Sequence, residues 1–407
     1  MAVPFITEEK KEENSIDDKG ILNIYERWED YDLKDPLLRG IYSIGFETPS
    51  YIQKTAIGPI LQGRDIRAQA QSGTGKTGAF AVASLQRIDE TLPATQVLVL
   101  CSTREIAEQN AARTTEIGKN MGVSVPFLAG GFNVGRTREE LARNPPIVTG
   151  TPGRVLHMIS TGDLKTDSIF LLIIDEADEM LKRGFKDQVR EVFMSLNREK
   201  IQVAMFSATW DKSEMEVADD ILRDPIIIHL RHDEQTLKGI DQYFVNIGSK
   251  PSRGEDIQKM EVLLDIYRRS EVGQSVIFVN SRSKAKFLYE ALKTHKFPCE
   301  VIHSDLTQNE RSDVLRRVRN GECRCLIATG LMARGIDIQQ LSIVFNFDLP
   351  KGLDKSSYIH RIGRAGRFGR KGKAINIVYQ DEMECIKELE GFYSTMISPL
   401  PNDFNLK

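Results

Sequence analysis

The sequence predicts an α/β protein of two tandem domains, each a parallel β-sheet with helices on both faces. Three observations predict it. The chain has 407 residues, more than one hydrophobic core ordinarily serves. Short apolar runs alternate with stretches of helical period, and each run is bounded by polar or glycine-rich residues. The runs are apolar almost throughout rather than at alternate positions, which is the pattern of strands buried on both faces.

Taken in order, the opening "MAVPFITEEKKEENSIDDKG" is acidic and polar, so residues 1–24 are expected to form a flexible tail. Residues 25–230 hold the strand candidates "DIRAQA", "QVLVLC", "PPIVTG", "FLLIID" and "QVAMFSA". The stretch "LRHDEQTLKGIDQ" is polar and lacks an apolar period, which places a short flexible linker at 231–240. Residues 241–407 hold "QSVIFVN", "CEVIHS", "CRCLIAT", "LSIVFNF" and "KAINIVY". "GSKPSRGED" reads as an exposed loop of this second domain.

Composition excludes several classes. No apolar run approaches the roughly 18 residues that a membrane span needs. Five cysteines include no C-x-x-C pair and six histidines show no ligand spacing, so thiol redox chemistry and zinc are not indicated. Net charge is −3, which argues against a broad basic stripe of the kind that grips nucleic acid.

Two motifs carry chemistry. "AQSGTGKT", Ala70 to Thr77, follows a strand and opens a helix, the context of a phosphate-binding P-loop. Gly73 and Gly75 permit the tight turn whose backbone N–H groups, with those of Ser72 and Thr74, cradle phosphates at a helix N-terminus. Lys76 would contact the β- and γ-phosphates of ATP, and the Thr77 hydroxyl would ligate Mg²⁺. A glycine turn with a solvated lysine is the bland alternative; the strand before and helix after argue against it.

The second motif is "IFLLIIDEADEML", where an apolar strand runs into Asp175, Glu176, Asp178 and Glu179. Carboxylates so crowded repel unless a cation offsets them. In a Walker-B strand, Asp175 holds the magnesium and Glu176 orients the attacking water. Asp178 is expected to pair across the site, and Glu179 to favour the start of a helix.

"DEAD" at Asp175 to Asp178, "SAT" at Ser207 to Thr209 and "HRIGRAGR" at His360 to Arg367 occur in order with the P-loop. Together they resemble the DEAD-box family of ATP-dependent RNA helicases, over nearly the whole chain from Arg27 onward. "LLRGIYSIGFETPSYIQKTAI", "ADEMLKRGFKDQV" and "FYSTMISPLPNDF" are most similar to its branch of translation initiation factors of the four-A type. The resemblance implies two RecA-like domains, ATP between them, and RNA across both.

It also implies roles for particular residues. Gln53 would read the adenine edge, Thr48 would lie near the base, and Trp28 would stack on the ring where the family has phenylalanine. Arg364 and Arg367 would act as arginine fingers on the γ-phosphate, and Asp337 would bind the ribose. His360, Asp178, Ser207 and Thr209 would couple the phosphate site to domain closure. RNA contacts are expected from Thr103, Arg104, Gly130, Gly131, Thr151, Pro152, Gly153 and Arg154 in the first domain. In the second they are expected from Asn280, Arg311 and Thr329. Contacts limited to sugar and phosphate in a narrow cleft need no global positive charge and read no sequence.

Three departures stand out. Ser102 replaces the family's proline, Gly330 its aspartate, and "HSDL" a segment with glycine after the histidine. The implied activity is RNA-stimulated ATP hydrolysis that unwinds short duplexes in translation initiation, by a cytoplasmic monomer working with scaffold or cap-binding-complex proteins. Two alternatives are an ATP-gated RNA clamp serving as a platform in mRNA processing complexes, and a motor acting on DNA.

Overall fold

The computed structural model describes residues 24–70, 73–131, 133–182, 184–229, 240–252, 254–269, 272–329, 341–365, 372–393 and 395–401, with three short strands nearer the N-terminus. Internal contacts divide the chain into two units, Met1–Arg231 and His232–Lys407. Residues 231–239, most of the expected linker, lie outside the described residues.

The first unit begins with β1 (Phe5–Ile6) and the antiparallel pair β2 (Ile16–Asp17) and β3 (Gly20–Ile21). Then come α1 (Asp35–Ser43), α2 (Tyr51–Leu61), β4 (Ile66–Gln69), α3 (Lys76–Arg87), β5 (Val97–Cys101) and α4 (Arg104–Ile117). They are followed by β6 (Phe127–Leu128), α5 (Val134–Leu141), β7 (Ile147–Gly150), α6 (Pro152–Ser160), β8 (Leu171–Asp175), α7 (Ala177–Lys182) and α8 (Lys186–Met194). The unit closes with β9 (Gln202–Ser207), α9 (Lys212–Ile221) and β10 (Ile226–His229). Its main sheet has eight strands in the order β1-β10-β4-β9-β8-β5-β7-β6. Every pairing in that sheet is parallel.

Near-continuous apolarity has a direct structural reason here. Val97 and Val99 of β5 join one buried cluster while Leu98 and Leu100 join another. Successive side chains thus enter the cores on opposite faces of the sheet. Helix starts follow local chemistry. Ser50 and Gln53 form a capping box on α2, Thr103 caps α4 by accepting from the Ile106 N–H, and Pro152 opens α6.

The second unit contains β11 (Ile240–Asn246), α10 (Glu255–Arg269), β12 (Gln274–Val279), α11 (Arg282–Thr294), β13 (Cys299–Ile302), α12 (Gln308–Arg319) and β14 (Cys325–Thr329). It ends with β15 (Leu341–Asn346), α13 (Lys355–Ile362), β16 (Gly372–Val378), α14 (Met383–Tyr393) and β17 (Ser398–Pro399). These make a seven-stranded sheet in the order β13-β14-β12-β15-β16-β11-β17, again parallel throughout. Both sheets agree with the fold class read from the sequence.

The structure adds strands that the sequence reading passed over. β6 has only two residues, and β10 follows α9 without a flanking glycine signal. β11 begins at Ile240, inside the stretch read as polar; its first residues alternate between buried and exposed, unlike the continuously buried β5, β8 and β9. No helix among the described residues is long and apolar enough to cross a membrane.

Candidate nucleotide and RNA site

In the first unit six motifs fall at the carboxyl edge of one sheet, and the strand pairing brings those ends into line. Gln69 of β4 pairs with Ser207 of β9, Phe206 with Asp175 of β8, and Asp175 with Cys101 of β5. Gly150 of β7 pairs with Leu100 of β5 and Leu128 of β6. Read across the edge, the order is P-loop, "SAT", "DEAD", "STREIA" (Ser102 to Ala107), "TPGR" (Thr151 to Arg154) and "GG" (Gly130 and Gly131). Open parallel sheets bind ligands at this edge.

Gly73 and Gly75 both have positive φ, 89° and 104°, the conformation that a tight phosphate turn requires. Gly75 caps α3, so Lys76 and Thr77 are the first two residues of that helix. The turn is held from an unexpected side. The Gln53 Nε2 donates to the Gly75 carbonyl at 3.2 Å, while its Oε1 accepts from the Ser50 N–H at 2.7 Å. A single buried amide thus locks the start of α2 to the P-loop.

Asp175 and Glu176 are each 5% exposed. Burial pushes the Asp175 carboxyl up, opposed by the Lys76 ammonium and by a hydrogen bond from Asn110. Asn110 is itself buried. Its Nδ2 donates to Asp175 Oδ2 at 2.9 Å, and its Oδ1 accepts from the Thr77 hydroxyl at 3.0 Å. Glu176 sits at φ 55°, a costly value for a residue with a side chain. Its N–H donates to Asp175 Oδ1 at 3.1 Å, and its Oε2 accepts from the Ser102 hydroxyl at 2.9 Å.

This donor set fits a divalent cation. Two neighbouring carboxylates in a nearly dry place need positive charge, and Thr77 and Asp175 are joined through one shared partner. No cluster of three or more His, Cys, Asp or Glu side chains suited to a metal occurs among the described residues. Magnesium sites with few protein ligands, completed by phosphates and water, have that character.

Asp178, Ser207 and Thr209 come together within the first unit. The Asp178 N–H donates to Ser207 Oγ at 3.2 Å, Thr209 Oγ1 donates to Asp178 Oδ2 at 3.2 Å, and Ser207 Oγ donates to the Thr209 carbonyl at 2.6 Å.

Residues 50–217 match the DEAD/DEAH box helicase family, and residues 258–369 match the helicase conserved C-terminal domain. The chain is 54% identical over 389 residues to "ATP-dependent RNA helicase eIF4A" of Encephalitozoon cuniculi, covering 94% of this chain and 92% of that one. It is 44% identical to "Eukaryotic initiation factor 4A" of Caenorhabditis elegans, covering 93% and 92%. Among solved structures, S. cerevisiae Dbp5 bound to RNA and ADP BeF3 matches with TM-score 0.82 at 32% identity, covering 92% of this chain and 95% of that one. The chain belongs to the DEAD-box family of ATP-dependent RNA helicases.

Its two sheets are therefore the tandem RecA-like domains of a DEAD-box protein, and ATP is its nucleotide. Of the residues expected to contact RNA, Thr103 and Arg104 begin α4, exposed Gly130 and Gly131 follow β6, and Thr151 to Arg154 begin α6. A Cβ on Gly131 would lie 3.5 Å from an Arg104 terminal nitrogen, so two of these motifs meet. In the second unit Arg311 lies in the first turn of α12 with a terminal N–H on the Ser304 carbonyl at 2.6 Å, and Thr329 ends β14. His360 and Arg364 are 2% and 4% exposed, with Arg364 Nε donating to the His360 carbonyl at 3.0 Å. Ser72, Asp337, Arg367 and the departure Gly330 lie outside the described residues.

Two expectations need correcting. Trp28 offers no open face to a base: it is 0% exposed and lies nearly parallel to Phe46, at 10° with ring centroids 6.3 Å apart. An indole carries enough apolar surface to be drawn into the core beside Tyr31, which leaves Phe46 as the partly exposed ring. Asn280 is similarly committed. Its Nδ2 donates to the Leu349 carbonyl at 2.6 Å and its Oδ1 accepts from Arg361 at 2.9 Å, so its amide staples the fold.

Asn110, Gln53 as a P-loop clamp, and buried Arg361 escaped the sequence reading. A helix asparagine carries no signal of its own, and nothing in the spacing shows which strand end it faces. Ser102 did carry a signal, as a departure from the family's proline.

Proposed function

We propose that this protein is an RNA-stimulated ATPase that unwinds short duplexes in translation initiation, binding the RNA backbone without sequence preference. The observation that carries the reading is the order of motifs along one sheet edge, with the phosphate and carboxylate residues adjoining the RNA residues. Thr77 and Asp175 would hold Mg²⁺, which would supply positive charge to offset that of the phosphates. Lys76 and the P-loop amides bind the triphosphate. Gln53 and Thr48 address the adenine, with Trp28 backing Phe46.

Glu176 orients the attacking water and receives its proton, while Arg364 and Arg367 neutralise charge that develops on the γ-phosphate. Asp337 takes the ribose hydroxyls. Asp178, Ser207, Thr209 and His360 transmit the state of the phosphate site. Thr103, Arg104, Gly130, Gly131, Thr151 to Arg154, Arg311 and Thr329 hold phosphates and 2′-hydroxyls, with Asn280 supporting them through Arg361. ATP and RNA then help one another bind, since each favours the same arrangement. The protein works in the cytoplasm as a monomer recruited by initiation scaffold or cap-binding-complex proteins.

Glu176→Gln tests the assignment. The variant is expected to retain ATP-dependent RNA binding in a filter or fluorescence assay while ATP turnover falls at least about a hundredfold. Turnover near the unmodified rate would remove Glu176 from the reaction.

A further inference from the structure

β5 lies between the "DEAD" strand β8 and the "TPGR" strand β7, so the segment that leaves it borders both halves of the edge. That segment makes three hydrogen bonds to the hydrolytic machinery, two of them buried and one part-buried. Ser102, 8% exposed, donates to Glu176 at 2.9 Å. Asn110, 2% exposed, donates to Asp175 at 2.9 Å and accepts from Thr77 at 3.0 Å. Between them stand Thr103, which caps α4, and Arg104, which reaches towards Gly131.

From this geometry we infer that Ser102 and Asn110 are positioning residues, and that α4 carries RNA docking at Thr103 and Arg104 directly to the two carboxylates within the first unit. The inference rests on the reading that RNA binds at that turn and that Glu176 orients water. Each bond has a distinct task. Glu176 is held at a costly φ with its side chain restrained by one hydroxyl, so a shift of the 102–104 turn moves the carboxylate that must face the water. Asn110 accepts the Thr77 hydroxyl proton, which leaves that oxygen's lone pairs for a cation. It also fixes the Asp175 carboxylate by its other end. Proline at position 102 has no hydroxyl with which to make the first of these bonds.

Ser102→Ala should lower kcat in saturating RNA about tenfold, the size expected from losing one hydrogen bond to a charged group. KM for ATP and RNA affinity should stay within about twofold, and Ser102→Thr, which keeps the hydroxyl, should recover most of the loss. Asn110→Leu fills similar space and removes both bonds. It should raise the Mg²⁺ concentration for half-maximal binding of a non-hydrolysable ATP analogue at least about fivefold, read by fluorescence without turnover. Unmodified kcat in Ser102→Ala, no recovery in Ser102→Thr, or unmodified Mg²⁺ dependence in Asn110→Leu would overturn the inference. Failure of the underlying reading is distinguishable, since the unmodified protein would then show no stimulation by RNA.

Discussion

Gly78, one turn into α3, has no room for a side chain. A Cβ there would sit 2.4 Å from Gln53 Nε2 and 2.9 Å from Phe46 Cε2. Gly75 is equally confined by Ser50 and Gln53, and its φ of 104° adds backbone strain to any substitution. The segment around Gln53 therefore supports the P-loop mechanically as well as chemically. Gly78→Ala should push Gln53 off the Gly75 carbonyl and weaken ATP binding about tenfold, within the 1–3 kcal/mol typical of overpacking. Titration with a fluorescent ATP analogue checks it, and unchanged affinity would separate Gln53 from the P-loop. At this scale the sequence was legible where a residue type dictates its own conformation, as with Gly73, Gly75 and the Asp175–Glu176 pair. It was not legible for Gln53 or Asn110, whose partners lie 22 and 65 residues away and are chosen by tertiary packing.

Helices α1 and α4 meet where Gly40 faces the end of α4: a Cβ would fall 1.9 Å from the Ile117 carbonyl oxygen. That contact anchors the helix whose other end carries Thr103 and Arg104. Gly40→Ala should force the two helices apart and destabilise the first unit by about 1–3 kcal/mol, seen as a lower midpoint in urea unfolding. Strands with continuous apolar runs were plain in the sequence, because burial on both faces leaves few polar positions. β11 was not plain, since one of its edges meets only the two-residue β17 and its first residues alternate between buried and exposed. Buried polar ties in the second unit were invisible for a related reason. Asn346 Nδ2 donates to Asn376 Oδ1 at 2.8 Å inside strands that read as uniformly apolar.

For the whole molecule, two units of 231 and 176 residues each bring a parallel sheet, and each carries half of the implied chemistry. On the proposed reading, Lys76 and Glu176 act from one and Arg364 from the other. Moving such a pair from about 1:99 to 99:1 in favour of the active arrangement takes roughly 5.5 kcal/mol of ligand preference, which ATP and RNA must supply jointly. Arg364→Ala should accordingly lower kcat by about 10³ or more, and the first unit alone, Met1–Arg231, should bind ATP more weakly than the full chain and fail to turn it over. Equilibrium binding and steady-state turnover on the two proteins decide it; a first unit that hydrolyses ATP at the full rate would contradict the shared assignment.

The most direct measurement is steady-state ATP hydrolysis by the full chain with no nucleic acid, with single-stranded RNA, and with DNA of the same sequence. Contacts to 2′-hydroxyls predict a rate raised at least about tenfold by RNA and little by DNA. A rate indifferent to RNA, or raised equally by both, would contradict it.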